Sequence, residues 1–172
     1  MARVLLLSEA TLKSNSIVNN NLDSKYIQQE INEAQDDGLE PIIGTKLYNK
    51  LMDLVDTGDI TGATDYKYLL DEYITPYLLN KTLSGIYKTS TDKVSNMGIV
   101  QLNGSNVVVP SQGERDLDKN VYEGRAGKRG IRLKEYLMAN RDKYPEFGKA
   151  TKCYEEPGGR NTFNCPINLS RQ

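Results

Sequence analysis

The sequence predicts a mainly α-helical protein: a small helical bundle with one β-hairpin and an extended C-terminal arm. Three observations carry that expectation. Apolar residues recur at helical spacing from about residue 24 to 89 and again from 114 to 143. Between these blocks, GIVQLNGSNVVVPS holds two β-rich runs around Asn103-Gly104, the strongest short hairpin signal. Beyond Pro145 the periodicity fades and glycine and proline recur. The organisation expected is therefore a helical domain over 1–145, with the hairpin at about 99–109, and an arm over 146–172.

Each element has its own signal. Val4–Leu7 reads either as a short strand or as an extended plug, and SNSIVNNNLDS after it is rich in turn and cap formers. Asp23 or Ser24 caps a first helix, with Ile27, Ile31 and Ala34 on one face at i, i+4, i+7. Gly38 is placed to end it and Pro41 to block continuation. Thr45 caps a second helix, striped by Leu47, Leu51, Leu54 and Val55. DTGDITGATD breaks the chain, and a longer helix starts at Thr64 or Asp65. Pro76 lies inside that helix and is expected to kink it. Leu117, Val121, Ile131, Leu133, Tyr136 and Leu137 mark the last helical block. Gly124, Gly127 and Gly130 interrupt it, which reads as two helices meeting at a glycine-rich joint.

Composition narrows the function. At 172 residues the chain is one domain on the usual prior. Histidine is absent, which removes the commonest general base and metal ligand and excludes Ser-His-Asp and Cys-His catalysis. The only thiols, Cys153 and Cys165, lie in the tail and are too few for a zinc site without histidine. In a cytoplasmic chain they are expected to stay reduced. No apolar run reaches the ~20 residues that span a bilayer. The start MARVLLLSEATL lacks the length and cleavage site of a signal peptide, so neither export nor a membrane anchor is expected. Net charge is -1, without the basic excess of a dedicated DNA binder. Mean hydropathy is low, at -0.58, so part of the chain reads as tail, loop or partner-dependent segment. Eleven tyrosines suit half-buried and interface positions.

The motifs are few. EGRAGKRG (123–130) lacks the spacing and the Lys-Ser/Thr of a phosphate loop. Its cations nevertheless share a helix face: Arg125, Lys128, Arg129 and Arg132 stand at i, i+3, i+4, i+7. That face reads as solvated surface, or as a contact for phosphates or an acidic partner. The acid pairs Asp36-Asp37 and Glu155-Glu156 are adjacent in sequence, do not face one another on a helix, and read as surface charge.

The strongest pattern is Tyr26-Ile27, Ile31, Ala34-Gln35, Gly38-Leu39, Pro41-Ile42-Ile43-Gly44, Leu47-Tyr48 and Leu51. It resembles the N-terminal half of head–tail connector (adaptor) proteins of tailed bacteriophages, most closely those of phages infecting Bacteroidetes, including crAss-like phages. There an "I..AQ..YL.PILG..LY..L" pattern opens a small helical bundle. The resemblance covers about residues 20–90, and Gly38-Leu39 stands where a Tyr-Leu pair is common.

The resemblance implies a non-enzymatic structural subunit without cofactor or metal. Such proteins form a ring, commonly of twelve copies, beneath the portal vertex, extending the DNA channel and docking the next neck or tail component. The partners implied are the portal protein, the next neck or tail protein, other copies of the chain and the packaged DNA. The location implied is the virion neck, after assembly in the host cytoplasm. Arg125, Lys128, Arg129 and Arg132 are then candidates to face DNA or an acidic portal surface. Tyr154, Phe163, Ile167 and Leu169 are candidate anchors of a portal-binding arm. The alternative is a small helical nucleic-acid-binding or regulatory protein that uses the basic 125–134 segment.

Overall fold

The computed structural model describes residues 3–16, 22–89, 92–95, 98–101 and 112–148. The protein is mainly helical. The first helix, α1 (Glu9–Ser14), is capped by Ser8, whose hydroxyl accepts from the Thr11 N–H. Of the two readings for Val4–Leu7, the plug is the one found. Leu6 and Leu7 are buried, and the fully buried Gln35 clasps the segment. The Leu6 N–H donates to Gln35 Oε1 at 2.7 Å, and Gln35 Nε2 donates to the Val4 carbonyl at 3.4 Å. Arg3 adds an ion pair to Asp36, which also accepts from the Tyr48 hydroxyl.

The next helix departs from expectation. Asp23 caps α2 (Ser24–Glu33) as predicted, accepting from the Lys25 N–H. Gly38 and Pro41 do not end the helical run. It passes through a π-turn (Ala34–Leu39) into α3 (Glu40–Ile43) and stops at Gly44. The Glu40 N–H reaches back five residues to the Gln35 carbonyl, so the widened turn lies immediately before Pro41. Proline lacks a donor and crowds the preceding turn; a wider turn there removes both conflicts. Pro76 is handled the same way. Residues 64–89 run through α5 (Thr64–Leu69), a second π-turn (Leu70–Ile74) and α6 (Thr75–Thr89). The Thr75 N–H bonds to the Leu70 carbonyl, again just ahead of the proline.

The true corner is Gly44, at φ 81° and ψ 149°, a conformation that L side chains rarely adopt. It turns α3 into α4 (Thr45–Asp56), whose Leu47, Tyr48 and Leu51 are buried. Left-handed Gly58 and a 3-10 turn (Asp59–Thr61) then lead to α5.

The hairpin expected at about 99–109 is not supported. A short antiparallel ladder pairs β1 (Asp92–Ser95) with β2 (Gly98–Gln101), registering Val94 with Ile99. Residues 99–101 are thus already paired upstream; Asn103-Gly104 lies outside the described residues. Pairing over the shorter connection closes the smaller loop.

The last helix, α7 (Gln112–Ala139), runs 28 residues without a joint, so its glycines do not divide it. The core lies where α2, its π-turn and α3 meet α6 and α7, with Ile27, Ile31, Leu39, Ile43, Leu78, Leu133 and Leu137 fully buried. The chain after α7 stays on this body. Tyr144 and Phe147 are buried and Glu146 accepts from the Tyr66 hydroxyl, so Glu146 and Phe147 belong with the bundle rather than with the arm. Of the arm expected over 146–172, residues 149–172 lie outside the described residues.

Candidate functional site

The chemistry-bearing surface is α7. Its inward face is Ala126, Gly130, Leu133 and Leu137, spaced i, i+4, i+7, i+11, and it packs along α6. Gly130 allows the approach: a Cβ there would stand 3.1 Å from Ile42 Cδ1 and 3.3 Å from Tyr77 Cε2. Nothing lies within 4 Å of a Cβ at Gly124 or Gly127.

The outward face is unusual in two ways. Arg125, Lys128, Arg129 and Arg132 are all exposed, on neighbouring positions as the spacing implied. Arg125 lies 5.4 Å over the Tyr122 ring and Arg132 5.4 Å over Tyr73, so these two guanidiniums rest on aromatic faces. Beside them four large apolar side chains are also exposed: Leu117 (66%), Val121 (49%), Ile131 (62%) and Met138 (48%). Sequence reasoning grouped Leu117, Val121 and Ile131 with Leu133 and Leu137 as one apolar pattern, but only the last two face the core.

A groove of about 370 Å³ runs along one flank of this face, between α3, α6 and α7. Pro41, Ile42, Ala126, Gly127 and Ile131 line it with the Tyr77 ring. Lys81 and Glu123, 3.6 Å apart, stand among its lining residues.

Near the end of α7 the tyrosines converge. Tyr73 and Tyr136 stack at 4.2 Å, and Tyr66 meets Tyr144 edge-on at 5.5 Å. The Tyr144 hydroxyl donates to the Asp65 carbonyl at 3.0 Å. Burial, followed by the Glu146 carboxylate, pushes the Tyr66 phenol up to about 12; burial alone takes Tyr77 to about 12, and Tyr144 goes higher still. These phenols stay protonated at neutral pH and act as packing and hydrogen-bonding groups.

A family model described as Family of unknown function (DUF6712) matches residues 39–156. The chain belongs to this family. No curated protein and no solved structure gives a significant match. The DUF6712 match opens at Leu39, the end of the first π-turn, and takes in the Gly44 corner and all of α4 to α7. The matched region therefore contains both the corner and α7.

Tyr154, Phe163, Ile167 and Leu169 lie outside the described residues, as do both cysteines. Among the described residues, no group of three or more Cys, Asp or Glu is placed to hold a metal ion, and no helix is long and apolar enough to cross a membrane. Sequence reasoning missed Gln35 as the clasp of the N-terminal segment. It also missed the exposed strip on α7, whose signal was a 3.5-residue spacing laid over the 3.6-residue core pattern.

Proposed function

We propose that this protein is a structural subunit of a phage head–tail connector: it assembles with copies of itself, docks on the portal, extends the DNA channel and receives the next neck or tail component. The observation that carries the reading is the exposed apolar strip on α7, set beside the connector-like pattern of residues 26–51. That pattern builds the core frame, because Ile27, Ile31, Leu39, Ile43, Leu47 and Leu51 are all fully buried. The frame is thus occupied with folding, and the exposed face of α7 is left open to a partner. A strip of large apolar side chains is the mark of protein contact. Phosphate contact alone uses cations and polar donors and has no use for it.

The test is negative-stain microscopy of the full chain, alone and with the portal protein encoded in the same genome. Rings, and rings seated on the portal, are expected. A chain that never joins the portal overturns the reading. Duplex DNA binding that falls steeply with salt, without any portal contact, supports the nucleic-acid-binding alternative instead.

A further inference from the structure

We infer that the outward face of α7 packs on the acidic tip formed by Asp53, Asp56 and Asp59 of a second copy, in a head-to-tail contact. The inference rests on the assembly-subunit reading and names the partner surface.

The strip has the geometry of a helix seam. Leu117, Val121, Gly124, Ile131 and Met138, with Lys128 and Glu135 in register, follow alternating steps of four and three residues, and all are exposed. That is the spacing of a face that meets another element along its length. It spans 21 residue steps, roughly 31 Å at the α-helical rise.

Charge selects the occupant. Residues 125–134 carry five basic residues and no acidic one. Lys128 is the midpoint of the strip, so a two-fold antiparallel pairing of α7 with its own copy sets Lys128 against Lys128. Arg125 and Arg132 then flank the clash. Like charges juxtaposed in this way suppress the isologous contact. The other half of the molecule has the complementary charge: residues 22–89 hold 12 Asp/Glu against 6 Lys and no Arg. Within it, Asp53, Asp56 and Asp59 are exposed at the end of α4 and the following turn, among the half-exposed Leu54, Val55 and Ile60. That tip is the acidic, apolar counterpart of the basic, apolar strip. Its 3-10 turn packs on α4 and α5, and none of its residues belongs to α7, so strip and tip are two different patches. Two different patches, each complementary to the other, make a heterologous contact, which closes into a ring when the rotation allows.

Charge reversal tests the pairing in the full chain. Sedimentation velocity across a wide concentration range should show self-association of the unmodified protein. K128E/R129E and D53K/D56K/D59K should each reduce it at least tenfold while circular dichroism melting stays unchanged. An equimolar mixture of the two should associate again, because reversed strips meet reversed tips in alternation. Should a variant fail to fold, hydrogen exchange on the unmodified chain carries the test: residues 117–138 and 53–60 should gain protection together as concentration rises. An unmodified chain that stays monomeric overturns the inference. So does association indifferent to either variant, or strip protection independent of concentration, which would mean that one chain covers its own strip. Self-association insensitive to both variants, with portal docking intact, removes this pairing and leaves the connector reading standing; paired association without portal docking does the reverse.

Discussion

Glycines that look alike in the sequence differ in what a methyl group would meet. Tyr77, 4% exposed, lies between two of them: a Cβ at Gly38 would stand 2.8 Å from its hydroxyl, and one at Gly130 3.3 Å from its ring. The Tyr77 side chain is buried, so a methyl group at Gly38 must displace it from its packed position. Gly38→Ala should destabilise the protein by about 1–3 kcal/mol through overpacking, exceeding the ~0.5–1 kcal/mol that alanine gains over glycine in a helix. Gly124→Ala and Gly127→Ala meet open space and should each stabilise by that ~0.5–1 kcal/mol. Thermal melts of the three variants check the contrast, and a stabilising Gly38→Ala would contradict the packing described for Tyr77. The sequence made Gly38 a helix terminator. It serves close approach instead, because whether a glycine ends a helix or admits a neighbour depends on what the fold brings alongside.

At the scale of elements, the helix periods were legible and the places where helices end were not. The spacing of Ile27, Ile31, Leu47, Leu51 and Leu133 placed the right residues inward. The prolines misled, because each π-turn widens the helix just where a proline would break it. The N-terminal segment depends on one side chain that no local pattern marks. Gln35 satisfies the Leu6 N–H and the Val4 carbonyl at once, so Gln35→Ala should leave both without that partner and cost about 1–3 kcal/mol. It should also free residues 3–8 from the body. Hydrogen exchange would show this as faster exchange at Leu6 and Leu7, while α6 and α7 keep their protection. Equal protection at Leu6 in both proteins would show that the clasp does not hold the segment. The hairpin was misplaced because Asn103-Gly104 is a local signal, while strand pairing is settled by which run lies opposite.

Across the whole molecule, the buried phenols tie stability to alkaline pH. Tyr66 and Tyr77 are held up to about 12 in the fold, whereas an unfolded tyrosine ionises near 10. Below about pH 10 the phenols are neutral in both states and contribute no pH dependence. Between about pH 10 and 12 the unfolded chain loses protons that the folded chain keeps, so stability falls as pH rises, by ~1.4 kcal/mol per pH unit for a phenol such as Tyr77. From neutral pH to about 10 these phenols should leave the melting temperature unchanged and beyond it they should lower it, and Tyr77→Phe should soften the drop. A variant with an unchanged alkaline slope would remove Tyr77 as a source. The basic face of α7 was legible because Arg125, Lys128, Arg129 and Arg132 share a face at fixed helical spacing, wherever that helix sits. Its apolar strip was not, since Leu117, Val121 and Ile131 carry the same letters as core residues. By itself the sequence determined that this protein is helical, which stripes its helices could bury, and that no histidine chemistry is open to it, because period and composition are properties of the chain alone. Only the tertiary structure decided that α7 buries one stripe and leaves another to solvent, since a helix can press only one side against the bundle.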